Sequence, residues 1–179
     1  QEQALKLETE GQTLTRYVKF AETADPPQTQ PIPISFEHTP VYVDTLIKFT
    51  PSEDDPEVAD DGLIKVAVFV NANSNLVVRH KYIAGTTPLT TNSVFETIDI
   101  NPENWYRVTL KLAYDANQWL SYFEIWLDGT QLTHANGAAD GGLYPSGGPR
   151  FFTLQVGQAE LSQISFQGTG YVDDLVVTD

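Results

Sequence analysis

Apolar residues recur at every second position in short runs along this chain, and clusters of Asn, Asp, Gly and Pro separate the runs. Half-buried antiparallel strands produce that pattern, and almost no segment shows the 3.6-residue period of an amphipathic helix. The expected fold is all-β, a two-sheet antiparallel β-sandwich, in a single domain over residues 1–179. Strands are predicted at Ala4–Glu8, Arg16–Phe20, Val41–Phe49, Leu63–Val70, Leu76–Ile83, Val94–Ile100, Trp105–Tyr114, Trp119–Leu127, Phe151–Val156, Gln163–Phe166 and Tyr171–Val177. Three stretches read as loops: the proline-rich Glu22–Ile34, the acidic Pro51–Gly62 and the long, glycine-rich Asp128–Arg150.

Two hairpins carry most of the pattern. Asp115–Gln118 forms a four-residue connection whose simplest register sets Tyr114 against Trp119. One face then pairs Leu112 with Ser121, Leu110 with Phe123, Val108 with Ile125 and Tyr106 with Leu127, and is core. The other pairs Lys111 with Tyr122, Thr109 with Glu124 and Arg107 with Trp126, leaving Glu124 diagonal to both cations. Such a face is either a platform on which sugar rings stack or an ordinary surface ladder with Arg107 over Trp126. In the second hairpin Val70 faces Leu76, Val68 faces Val78 and Val66 faces His80, all inward candidates. Its opposite face sets Lys65 against Lys81, which calls for a carboxylate or an anionic ligand unless the register slips.

Composition narrows the chemistry. With no cysteine there is no disulfide framework, thiolate metal site or thiol nucleophile. Ten Lys+Arg against 24 Asp+Glu give a net charge of −14, which argues against nucleic acid as a partner. No run approaches the ~18 apolar residues of a membrane span, so no membrane insertion is expected. Methionine is absent even at position 1, which fits a processed, exported protein. His38, His80 and His134 have no zinc-site spacing, and no nucleophile elbow or phosphate loop occurs. Glu124, Trp126 and Asp128 share one side of a strand, but Asp128-Gly129 is also a hairpin-turn signal.

Trp105-Tyr106-Arg107-Val108, followed by Tyr122-Phe123-Glu124-Ile125-Trp126-Leu127-Asp128-Gly129, resembles a pattern of laminin-G-like domains in the concanavalin A-like lectin/glucanase superfamily. Val41–Phe49 resembles their early core strand, and Gly168–Val177 their closing strand. The resemblance implies a jelly roll with its first strand beside its last, and a module that binds glycans, mediates adhesion or carries glycosidase or lyase activity. The catalytic branches need strands that this sequence lacks: its nearest approach, Glu124-x-Trp126-x-Asp128, has Trp where the laminarinase-like strand has a carboxylate. Similar carbohydrate-binding modules hold a structural calcium, and the matching positions here are Glu8, Glu10, Asp173 and Asp174. The acidic loop of Glu53, Asp54, Asp55, Glu57, Asp60 and Asp61 is a second calcium candidate, read more simply as solvated.

The functional expectation is a non-catalytic carbohydrate-binding module of a secreted or cell-surface protein, a monomeric unit of a larger chain. Its polysaccharide or glycan would meet either the Arg107, Tyr122, Glu124, Trp126 face or a rim of His134, Asn136, Tyr144 and Arg150. The competing expectations are a structural or adhesion domain and a diverged hydrolase or lyase.

Overall fold

The computed structural model describes residues 5–7, 13–17, 20–23, 28–31, 33–51, 66–84, 87–133, 148–153, 159–167 and 169–179. Those residues are all-β, with no helix among them. The strands are β1 (Leu5–Leu7), β2 (Thr13–Tyr17), β3 (Phe20–Thr23), β4 (Gln28–Pro31), β5 (Ile34–Ser35), β6 (Val41–Phe49), β7 (Ala67–Val70) and β8 (Asn75–Ala84). They continue as β9 (Thr87–Asp99), β10 (Tyr106–Asp115), β11 (Leu120–Leu127), β12 (Thr130–Gln131), β13 (Phe151–Phe152), β14 (Glu160–Leu161), β15 (Gln163–Gln167) and β16 (Gly170–Thr178).

A ten-stranded antiparallel sheet runs β1-β16-β6-β10-β11-β13-β8-β7, with β9 on β8 and β12 on β11. First and last strands are neighbours, as the resemblance implies. The sheet forms a β-sandwich around one core: Val41, Val43, Val108, Leu112, Phe123 and Ile125 of β6, β10 and β11 share it with Val70, Leu76, Val78 and Phe95 of β7, β8 and β9. Phe151 of the short β13 joins the two groups. It is fully buried, stacks on Phe123 at 5.4 Å, and meets His80 edge-on at 5.2 Å and Phe95 at 6.4 Å. Tilted and offset contacts of this kind suit the ring quadrupoles.

The β7–β8 hairpin has the register read from the sequence, with Val68 opposite Val78 and Val70 opposite Leu76. His80 points inward and is buried, its Nε2 2.8 Å from the Ser93 hydroxyl. Lys65 lies outside the described residues, and Arg79 donates to Asn92 Oδ1 at 2.9 Å. The proline-rich stretch expected as a loop instead contains a hairpin, in which Phe20–Thr23 pairs with Gln28–Pro31. An X-Pro-rich segment reads as irregular, yet Pro31 sits at the end of its strand, where it removes little from the ladder.

The β10–β11 hairpin corrects the expected register by two residues. Tyr114 faces Ser121, Leu112 faces Phe123, Leu110 faces Ile125 and Val108 faces Leu127. The connection is Ala116–Trp119: the Asp115 carbonyl accepts from Gln118 N–H at 3.2 Å, and its carboxylate accepts from Asn117 N–H at 3.0 Å. Trp119 closes the turn with φ 57°, leaving Leu120 to open the strand and pack on Phe152. A shift of two keeps every side chain on its face because the strand period is two.

β16 bulges opposite Thr45. Its register with β6 slips between Asp173 and Val176, and Asp174 takes φ 49°. The strand begins at Gly170, φ 142°, where a Cβ would meet the Lys48 carbonyl oxygen at 2.5 Å. Only glycine lets β16 approach β6 there.

Two substitutions test this architecture. Phe151→Ala should cost about 3–5 kcal/mol, as expected for emptying a fully buried aromatic site. Gly170→Ala should cost about 2 kcal/mol or more, because it adds both strain and a clash. Equilibrium urea unfolding measures both, and a loss below 1 kcal/mol for Phe151→Ala would mean that the two halves of the core do not depend on it.

Candidate functional site

The alternation that sends Val108, Leu110, Phe123 and Ile125 inward sends a polar set outward from the same strands. Across β6, β10, β11 and β12 one row is Asp44, Thr109, Trp126 and Gln131, and the next is Tyr42, Lys111 and Glu124. The outer face is therefore a grid of charged and aromatic side chains, fixed by the pleat rather than by loops.

Arg107 is the hub of the first cluster. Its guanidinium is 2.6 Å from Asp44 Oδ1 and 3.5 Å from Asp174 Oδ2, while Asp44 Oδ2 accepts from the Thr109 hydroxyl at 2.5 Å. Three strands are thus tied by one cation. The expected pairing of Arg107 with Trp126 is corrected: the two-residue shift places Trp126 opposite Thr109. Glu124 likewise pairs with Lys111 alone of the two cations, at 3.3 Å, and also accepts from Gln131 Nε2 at 3.2 Å. It is 9% exposed, so its oxygens are largely spent inside the protein.

Tyr122 lies on the outer face, as expected, yet is buried. Arg150, arriving just before β13, lies 4.5 Å from the centre of its ring and reaches Asp115 at 3.6 Å. Trp126 is half-buried and Arg107 exposed, so these two of the four predicted face residues meet solvent. Of the predicted rim, Arg150 is described and joins this face, whereas His134, Asn136 and Tyr144 lie outside the described residues.

The calcium candidates divide in the same way. Glu8, Glu10 and the six acids of the loop from Glu53 to Asp61 lie outside the described residues. Asp173 Oδ1 accepts the Asp174 N–H at 2.9 Å, and Asp174 faces Arg107. Among the described residues no group of three or more His, Asp or Glu is placed to hold a metal ion. Asp128 closes the β11–β12 turn with Gly129, φ 48° and 78°, and its Oδ1 accepts from Arg107 N–H at 2.7 Å. Asp128 and Glu124 are both engaged by neighbouring protein groups.

Sequence reading did not single out Tyr42 and Trp105, each 41% exposed, or Trp119, 76% exposed. Tyr42 follows from the β6 alternation once β6 is known to lie beside β10. Trp105 just precedes β10, and Trp119 belongs to the turn rather than the strand. No protein-family model matches this chain, and no curated protein matches it in sequence.

The two clusters should respond differently to deletion. Glu124→Ala leaves Lys111 and Gln131 short of a partly buried acceptor and should cost about 1–2 kcal/mol. Asp174→Asn, which removes the charge from an exposed pair and keeps a residue that tolerates φ 49°, should stay within about 0.5 kcal/mol. Thermal and urea unfolding of the two variants side by side checks the contrast, and equal losses would contradict it.

Proposed function

We propose that the protein is a non-catalytic carbohydrate-binding module of a secreted or cell-surface protein, and that the outer face of β6, β10 and β11 receives a polysaccharide or glycan. The observation that carries this reading is Trp126, a half-open indole bordered by Thr109 and Gln131 in its own row and by charged side chains in the rows beside it. A sugar ring presents an apolar face to such an indole and hydroxyls to the flanking oxygens and N–H groups, the combination expected of a small-molecule site. The jelly-roll assignment and the laminin-G-like kinship belong to the same proposal, supported by the motif order and by β1 lying beside β16.

A second reading, a structural or adhesion domain, draws on a specific observation: Tyr122 is covered by Arg150 and Glu124 is nearly closed off. Glycosidase chemistry has weaker support, since Glu124 is held by Lys111 and Gln131 while Asp128 is held in a turn.

Calcium is proposed on narrower ground. Asp174 is paired with Arg107 at 3.5 Å in an exposed contact, so an ion would have to compete with that cation for Asp174 or draw on Asp173.

Trp126→Ala should abolish retention of the protein in gels containing its polysaccharide while changing stability by about 1 kcal/mol. Retention by any of a panel of neutral polysaccharides, unchanged in Trp126→Ala, would remove this face; no retention on any polysaccharide would favour the adhesion reading. Running the panel with and without EDTA, alongside melting curves, tests calcium. A bound structural ion predicts a Tm lowered by several degrees in chelator, and an unmoved Tm removes it.

A further inference from the structure

Lys48, Arg107, Lys111 and Arg150 each stand against carboxylates on the outer face: Glu103 for the first, Asp44 and Asp174 for the second, then Glu124 and Asp115. Lys111 lies in the row beside Trp126, and it is drawn towards β11 by Glu124, whose side chain is 12% exposed. An anionic ligand that took Lys111 would strand that carboxylate in a nearly closed position, which cancels what the new contact gains. The net charge of −14 adds repulsion at longer range. Recognition on this part of the face therefore falls to rings and uncharged polar groups.

Trp126 is one such ring, with the exposed Gln131 beside it in its row. Tyr42 is another. It is 41% exposed, and Val176, 50% exposed, lies diagonal to it, because Thr178 pairs with Tyr42 and Val176 with Asp44. Tyr42 and Val176 thus form an open apolar step on β6 and β16, bordered by the exposed Thr178. Between the step and Trp126 lie Lys111 and Thr109 of β10, and both turn to protein partners, Lys111 to Glu124 and Thr109 to Asp44. The pleat and the strand spacing set Tyr42 and Trp126 one row and two strands apart, about 12 Å. One sugar ring cannot lie on both.

We propose that Tyr42, with Val176 at its side, is a second stacking site of this face, and that the ligand is an uncharged glycan chain running diagonally over β6, β10 and β11 from Tyr42 to Trp126. Each ring takes the apolar face of a different sugar, and Thr178, Thr109 and Gln131 meet hydroxyl groups along the path. Two modest contacts carried by one chain act together, so chain length is part of the recognition. The inference rests on the glycan reading of Trp126 and adds the residue that holds the other segment of the chain and the charge class of the ligand.

The test is affinity electrophoresis at physiological salt through gels containing matched neutral and anionic polysaccharides: hydroxyethylcellulose with carboxymethylcellulose, dextran with dextran sulfate, and laminarin with sulfated laminarin. The wild-type chain should be retarded by at least one neutral member, and roughly tenfold less by its anionic counterpart. In that neutral gel Tyr42→Leu, which keeps apolar bulk without a ring, should weaken retention roughly tenfold, and Tyr42→Phe should keep it. Long oligosaccharides of the same backbone should compete with the gel far better than short ones, and Tyr42→Leu should remove that advantage. Trp119→Ala, which takes an indole from the turn before β11, should leave retention unchanged. Stronger retention by an anionic member, or equal loss in Trp119→Ala, overturns the proposal. No retention in any gel overturns it together with the Trp126 platform. Retention lost in Trp126→Ala but unchanged in Tyr42→Leu removes the Tyr42 site and leaves the platform standing. Should Tyr42→Leu fail to fold, the wild-type competition decides, and equal potency of short and long oligosaccharides overturns the proposal.

Discussion

Phe151 is the contact on which the rest of the molecule depends. Its ring lies on Phe123 of β11 and against His80 of β8 and Phe95 of β9, so a strand of two residues closes the sheet around a common core. Burying a Phe or Ile side chain contributes ~1.5–3 kcal/mol, and Phe123, Ile125 and Phe151 are all fully buried. Once Phe123 and Ile125 are committed inward, Tyr122, Glu124 and Trp126 have nowhere to point but outward. The outer face is thus a consequence of core packing, and its side chains are held by strands rather than by loops, which suits a site that must keep its geometry.

Charge organises that face differently from the rest of the molecule. Lys6, Lys48, Arg107, Lys111 and Arg150, half of the ten cations, meet on it. Arg107 and Lys111 are engaged by Asp44, Asp174 and Glu124 and act across strand boundaries, cross-linking β6, β10, β11 and β16 at the surface. Arg150 both pairs with Asp115 and covers the Tyr122 ring. Glu103, Asp44, Asp174, Glu124 and Asp115 answer those cations, so opposite charges on this face are matched group by group.

The faces were legible in the sequence because they depend only on parity. Val108, Leu110, Leu112, Phe123, Ile125 and Leu127 point inward in the predicted register and in the observed one, two residues apart. The register itself was not legible, since it turns on Trp119 adopting a left-handed backbone conformation that a bulky residue seldom takes. The partners of Arg107 were hidden for another reason: Asp44 and Asp174 are remote in sequence, and only the pairing of β6 with β10 and β16 brings them near. The β7–β8 hairpin shows the opposite case, where a short connection and alternating valines suffice and His80 falls inward as read. Burial of Tyr122 could not be read from its own strand at all, because the residue that covers it comes from the far end of a long connection.

If the outer face receives a glycan as proposed, strand geometry also sets the size of ligand it can serve. Rows on one face of a sheet recur every ~7 Å, and neighbouring strands lie ~4.8 Å apart. Tyr42 and Trp126 are one row and two strands apart, hence about 12 Å, and the Lys48 row lies three rows from the Tyr42 row, about 20 Å. A single sugar cannot touch both ends of such a grid, whereas an extended chain would cross several of its rows at once. Each contact alone would be modest, since half-open rings and surface ammonium groups contribute little one at a time. Linked through one polymer they act together at a high effective concentration, so weak contacts spread along a rigid face favour a long glycan over a short one.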